Sequence, residues 1–479
     1  MKVLLVSHVF LPSHPAGTEI YTYQVGKALQ ARGHDVHVFT TEKDIARENL
    51  SVEAREYDGL PVHELFNNLY YNEFRDTWDY PAAAESFGVL LDDLKPDMVH
   101  FMHLLYLSVA CVEEVQKRGI PVFYTLHDYW LQCARFGQRR YVDGSICHTI
   151  DFDKCGRCVA QFKWKQTRAE RALGKTIAKV RSTVGLDLGN LARDMRRRVK
   201  QSKPGSSGAT AEDSVEGAVA ADYARSIAER DQALRERILP AVDRFIAPSR
   251  FLRDRFLEWG IPADQIVHMR TGIDLSGFRD LPRRPQKRTV ISFIGTLAPH
   301  KGVHVLLKAW GALSDAAKAN AELRVYGPPS HNPEYVASLT RWAARVGAQM
   351  LGRLERDAVA DVLAETDLLV VPSIWYENSP LIILEALAMR TPLAVSNLGG
   401  MAELVQPGAT GFHFEMGDPD DLARVLGEVL AEPERLARLF DDEVAVRDVT
   451  RDAEVLEESY RSFIRARVEA DLDGVSESG

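Results

Sequence analysis

Short apolar runs alternate with polar stretches of helical spacing along most of the chain. Residues 3–6 are such a run, and the Pro/Gly loop PSHPAGTE follows at once. A run of that length ended by loop residues predicts a strand buried on both faces. Thr18 is placed to cap a helix running to about Ala31. Residues 36–39, 98–100, 121–126 and 245–247 read as further strands with helical stretches between most of them, and a second series runs through 290–294, 323–326, 368–371 and 393–395. Strands alternating with helices predict parallel sheets with right-handed crossovers.

Two series of similar size, in a chain of 479 residues, predict an α/β protein of two Rossmann-like domains with parallel sheets facing a cleft. The first domain is expected over 1–245, with a Cys-rich and basic insert from about 130 to 240, and the second over 275–445. A C-terminal helix in 446–479 is expected to pack back on the first domain, ending in a disordered tail after Asp471. The stretch KPGSSGATAEDS, residues 203–214, has linker composition.

A net charge of -9 argues against nucleic acid as a partner. The N-terminal apolar run is too short for a signal-peptide core, and no run approaches the roughly 20 apolar residues of a spanning helix. Five cysteines without an export signal point to a reducing, cytoplasmic setting. Within that picture the insert stands apart, since residues 161–203 carry 13 Lys and Arg against three acidic residues. Leu188, Leu191, Met195 and Val199 recur there at helical spacing, with Arg193, Arg196, Arg197 and Lys200 at other positions. Such a helix suits the surface of an anionic membrane, with Phe162 and Trp164 as interfacial residues, or else packs on the first domain with a solvated basic face. Cys133, Cys147, Cys155 and Cys158 fall within 26 residues, the last two as CxxC. They are compatible with a structural zinc, with His148 as a substitute ligand, with free structural thiols, or with a redox role. Cys111, among apolar residues, reads as core.

Candidate chemistry concentrates in YENSPLIILEALAMR, residues 376–390. Ser379 or Asn378 can cap a helix there, Pro380 suits its first turn, and Leu381, Ile382 and the apolar residues after them give it a buried face. The N-terminus of such a helix is a site for phosphate oxygens. Glu385 lies about 7 Å along the axis from Pro380, a distance suited to ribose hydroxyls when a diphosphate sits on the helix end. Glu377 would then face a sugar. In IGTLAPHKG, Gly295 allows close approach to the backbone and Lys301 brings a positive charge for a diphosphate. Gly399 and Gly400 offer another flexible loop at the same sheet edge.

E-x7-E, GTLxPHKG, PAGTE, TGID at 271–274 and APS at 247–249, in this order, resemble the retaining glycosyltransferases of family 4, which have the GT-B architecture. The resemblance covers most of the chain outside the insert. It implies a nucleoside diphosphate sugar on the second domain, with Lys301 on the phosphates, Glu385 on the ribose, and Glu377 with the backbone from Asn378 to Ile382 around sugar and diphosphate. Gly17 would lie near the donor phosphates, and His127, in TLHDYW, matches a histidine near the transferred sugar. His127, Glu377 and Lys301 are thus the expected catalytic set. Thr296 stands where family members often have Arg, so a second phosphate cation is absent or comes from elsewhere. HDYW followed by clustered Cys also looks like a bacterial surface polysaccharide subgroup, which implies a glycan or lipid-linked acceptor at the cytoplasmic membrane face. Charge stabilisation by Lys301 and the helix end requires no metal, and Asp151 and Asp153 read as a solvated loop. The alternatives are a sugar-nucleotide epimerase of the same architecture, or a silent membrane-recruited binding protein.

Overall fold

The computed structural model of the protein describes residues 1–184, 212–278, 281–284, 286–330, 332–440 and 445–476. The basic helical pattern from Leu188 to Lys200 therefore lies outside the described residues. So does the linker stretch as far as residue 211, while its last residues open the helix Glu212–Ile238. The chain divides into two compact units, the first of residues 1–246, 259–267 and 453–479, the second of residues 247–258 and 268–452.

Among the described residues the sheet of unit 1 has eight strands, the last residues of β7 and β8 already belonging to unit 2: β1 Lys2–Val6, β2 Asp35–Glu42, β3 Val52–Tyr57, β4 Leu60–Phe66, β5 Met98–Phe101, β6 Val122–Thr125, β7 Arg244–Ala247 and β8 Ile266–His268. Their order is β3-β4-β2-β1-β5-β6-β7-β8. The pairs from β4 through β7 are parallel, and β3 joins β4 antiparallel. Every residue of β5 and β6 is buried, because helices cover both faces of a parallel sheet. The β3-β4 hairpin lies outside the predicted strands, although its signal is in the sequence. Tyr57 pairs with Leu60 across Asp58 and Gly59, whose φ angles of 47° and 75° are those of a tight two-residue hairpin turn.

Unit 2 holds a six-stranded parallel sheet: β9 Thr289–Ile294, β10 Ala321–Tyr326, β11 Gln349–Gly352, β12 Leu368–Val371, β13 Leu393–Ser396 and β14 Gly411–Phe414. The order is β11-β10-β9-β12-β13-β14. One core layer joins β9 and β10 to the helices Val303–Ala312 and Pro419–Ala431, and a second joins β12 and β13 to the helix Leu381–Ala388. The edge strands β11 and β14 were not predicted. β11 is largely exposed and β14 half-buried, so neither shows the continuous apolar run that marks a central strand.

Three local expectations are corrected. The first helix spans Gly17–Ala31 with Ala16 at its N-cap, so Thr18 lies inside the first turn and caps nothing. The helix in 376–390 begins at Leu381 with Pro380 itself at the N-cap, and neither Ser379 nor Asn378 caps it by a side-chain hydrogen bond. The last helix runs Val449–Ser476, so residues 471–476 are helical rather than tail. From Ala453 on it belongs to unit 1, where Tyr460 Oη lies 2.5 Å from the buried His100 Nδ1.

Candidate active site

The second unit assembles its chemistry on the loops after β9, β12 and β13. Gly302 sits at a φ of 72°, and a Cβ there would fall 1.7 Å from the Pro372 carbonyl oxygen, so only glycine lets the loop after β9 rest on the loop after β12. Ile374 N donates to His300 O at 2.8 Å, tying the two loops together one residue before Lys301. This contact directs Lys301 Nζ to Glu377 Oε1 at 2.6 Å and to within 5.4 Å of the Trp375 ring centre. Ser373 Oγ donates to the same carboxylate oxygen at 3.0 Å. Burial pushes the Glu377 carboxyl up, but the Lys301 charge, with hydrogen bonds from Lys301, Trp375 and Ser373, outweighs it and holds the group below its ordinary range.

Behind Glu377 the chain is fixed from the other side. Gly400 N donates to Glu377 O at 2.8 Å, and a Cβ on Gly400 would meet the Asn378 carbonyl at 1.8 Å. Gly399, at a φ of 57°, makes the preceding turn. The helix Leu381–Ala388 then starts without a side-chain cap, and the buried Ser379 Oγ has no hydrogen-bond partner. The positive end of this helix is thus left for an anionic group. Glu385, 1% exposed, pairs with Arg356 Nη1. Burial raises its carboxyl above the ordinary value and Arg356 opposes the rise. Gly295 N donates to Tyr326 O at 3.1 Å, and Thr296 is exposed.

The expected residues of unit 1 lie at the carboxyl edge of its sheet. Gly17 opens the first helix, exposed, and Tyr21 one turn later meets the His127 ring with centres 5.5 Å apart. Burial, helped by the neighbouring His103 and opposed by Asp128, pushes His127 down to about 3, so it is a neutral imidazole at pH 7. Leu105 N donates to His103 Nδ1 at 2.9 Å, which leaves the proton on Nε2 to be donated to Asp128 Oδ2 at 3.0 Å.

Sequence reasoning passed over Ser373, Trp375 and Arg356 in unit 2, and His8, Glu19, His103 and Asp128 in unit 1. Ser373 and Trp375 lie four and two positions before Glu377, a spacing visible in the sequence. Arg356 gave no signal, because its partner lies 29 positions on in the chain. The cysteines are all free thiols. Cys147 Sγ lies 3.0 Å from Thr149 O, and Cys133 Sγ lies 3.8 Å from Arg135 O. Among the described residues no three His, Cys, Asp or Glu side chains are arranged to hold a metal ion. Asp151 is the N-cap of the helix Phe152–Ala160, accepting from Lys154 N at 3.1 Å.

Residues 15–161 match the family model described as Glycosyltransferase Family 4, and residues 278–441 the one described as Glycosyl transferases group 1. A sucrose-phosphate synthase from Thermosynechococcus elongatus superposes with a TM-score of 0.61 at 18% identity, covering 97% of this chain and 99% of that one. HepE from Anabaena, solved with UDP and glucose, gives 0.59 at 16%, covering 96% and 100%. The protein has the GT-B fold. Among curated relatives of this GT-B chain, the D-inositol 3-phosphate glycosyltransferase of Thermobispora bispora is 31% identical over 225 residues, 43% of this chain and 51% of that protein. The protein of the same name from Rhodococcus opacus is 30% identical over 219 residues, 43% and 49%. The chain spans about half the length of the curated relatives it matches.

Proposed function

We propose that this protein is a glycosyltransferase that moves a sugar from a nucleoside diphosphate sugar to a hydroxyl of an acceptor. The observation that carries the reading is Lys301 held at 2.6 Å from Glu377 beside an uncapped helix N-terminus, with Glu385 buried farther along that helix. As the bond from the sugar to the diphosphate breaks, negative charge builds on the leaving oxygens. A fixed ammonium and backbone N-H groups already aimed at that place stabilise it without reorganisation. Glu377, ionised, keeps Lys301 in position, and its carboxylate is suited to accept hydrogen bonds from sugar hydroxyls. Glu385 takes the ribose hydroxyls, and His127 in unit 1 is a neutral imidazole that can accept or donate a hydrogen bond. The step needs no metal in this scheme. Transfer is retaining: the acceptor oxygen bonds to the anomeric carbon on the face the diphosphate leaves, and its proton passes to a diphosphate oxygen.

Two acceptor classes follow from different observations. The basic segment Arg168–Val184, continuing beyond the described residues, favours a lipid-linked glycan at an anionic membrane surface. The names of the curated relatives favour a polyol phosphate instead. Offering UDP-, GDP- and ADP-sugars with membrane lipid extracts in one arm and inositol phosphates in the other, with products read by mass spectrometry, separates them. In either arm Lys301→Ala is expected to lower turnover by about 10²–10³-fold. Glu385→Ala is expected to weaken nucleotide binding by roughly 10–100-fold by calorimetry, the loss of charge-assisted hydrogen bonds of about 1.5–3 kcal/mol. Full activity in both variants would remove the site.

A further inference from the structure

Three histidines stand at equivalent places on the edge of the first unit's sheet. β1 ends at Val6, β5 at Phe101 and β6 at Thr125, and these strands are neighbours. His8, His103 and His127 each lie two residues past a strand end, at the carboxyl edge where open parallel sheets take ligands. His103 has both ring nitrogens engaged, by Leu105 N and by Asp128. His8 packs against it with ring centres 4.3 Å apart but is bound differently. Its Nδ1 is buried without a well-formed hydrogen bond and lies 3.4 Å from Glu19 Oε1. Glu19, in the first turn of the helix Gly17–Ala31, is 1% exposed, and neither carboxylate oxygen has a well-formed hydrogen bond. The His8 side chain keeps 18% of its surface exposed, so Nε2 is the ring nitrogen left for a ligand. A buried carboxylate at such a loose distance from an imidazole tightens when the other ring nitrogen is engaged.

Resting on the transferase reading, we infer that His8, steered by Glu19, binds a hydroxyl group of the acceptor. The carboxylate keeps the imidazole proton on Nδ1, and Nε2 offers its lone pair to the hydroxyl hydrogen. Glu19 acts through His8 and is a positioning residue. The class of ligand at this point is an uncharged polyol hydroxyl. A phosphate would call for an imidazolium, whereas burial, with His103, His127 and His14 nearby, holds His8 well below its ordinary value and neutral. The groups that face Glu19 are His8, His14, His103 and the backbone N-H groups of Ala16 and of Glu19 itself. Burial outweighs them and pushes the carboxyl up to about 7. Protonating Glu19 reverses the pair: its O-H donates to Nδ1, the ring proton sits on Nε2, and the lone pair offered to the acceptor is lost.

Nitrogen-15 NMR of histidine-labelled protein reads the tautomer directly, with the His8 signals assigned from their absence in His8→Asn. The expected result is an Nδ1-H tautomer at pH 8 that changes to Nε2-H by pH 5.5 in the wild type, and one unchanging tautomer in Glu19→Gln. An Nε2-H tautomer at pH 8, or no change with pH in the wild type, overturns the inference. With the donor and acceptor found active in the panel above, kcat/KM for the acceptor is expected to fall about tenfold per pH unit below 7 in the wild type and to stay level in Glu19→Gln. The same pH limb in Glu19→Gln also overturns the inference, because a merely structural carboxylate would lower activity at every pH alike. A wild type that neither transfers nor hydrolyses any donor removes the transferase reading and the acceptor role with it, an outcome the tautomer titration keeps distinct from failure of the histidine-carboxylate pair.

Discussion

At the scale of single residues, the three glutamates buried among the described residues show how environment divides one side-chain type into different roles. Glu377 is held ionised by Lys301, whereas Glu385 and Glu19 are pushed toward their neutral forms by burial. The sign of each has a consequence for stability. Glu19 titrates at about 7 in the folded protein against 4.5 ordinarily, so the folded state favours its proton. Its contribution is most favourable below pH 4.5 and is lost as pH rises toward 7. Glu19→Gln, which does not titrate, is therefore expected to gain roughly 3 kcal/mol relative to the wild type between pH 4 and pH 8, at about 1.4 kcal/mol per pKa unit. Urea unfolding at the two pH values checks it, and a constant difference would refute it. Glu377 and Lys301 were legible in the sequence because each sits in a compact motif. Arg356 was not, because an ion pair between distant segments leaves no local pattern.

At the scale of elements, the central strands were readable because burial on both faces writes a continuous apolar run, as in residues 368–371 of β12. Edge strands and helix caps were not, since a largely exposed strand such as β11 has no such run and the lead-in to the helix Leu381–Ala388 is fixed by glycines packed on the backbone of Pro372, Glu377 and Asn378. Gly302 is the clearest of these. Gly302→Ala is expected to cost more than about 1 kcal/mol of stability and to loosen Lys301 from Glu377, since its Cβ has nowhere to go. Thermal unfolding and nucleotide calorimetry together check this; an unchanged midpoint with unchanged affinity would contradict it. The basic insert is partly redefined as well. Trp164 Nε1 donates to Tyr223 Oη at 2.9 Å and its ring meets Phe74, while Phe162 meets Phe136, so both rings expected at a membrane interface are engaged in the packing of unit 1. Among the described residues no helix is long and apolar enough to cross a membrane.

At the scale of the whole molecule, the GT-B fold follows from two strand-helix series, and the chain closes by returning its last helix to the first unit. His100, fully buried, takes Tyr460 Oη at Nδ1 and Thr125 Oγ1 at Nε2, which ties that helix to the centre of the sheet. Tyr460→Phe strands one buried imidazole nitrogen and is expected to lower the stability of unit 1 by about 1–3 kcal/mol, read by urea unfolding. The fold alone does not choose a reaction, so the central claim rests on the loops that carry Lys301 and Glu377 and on the helix that carries Glu385. The most direct measurement is the mass-spectrometric search for sugar transferred from nucleotide sugars, run side by side with wild type and Lys301→Ala. The account predicts a glycosylated product and free nucleoside diphosphate from the wild type, reduced by about 10²–10³-fold in the variant. A product made equally well by both, or a wild type that turns over no nucleotide sugar, would contradict it.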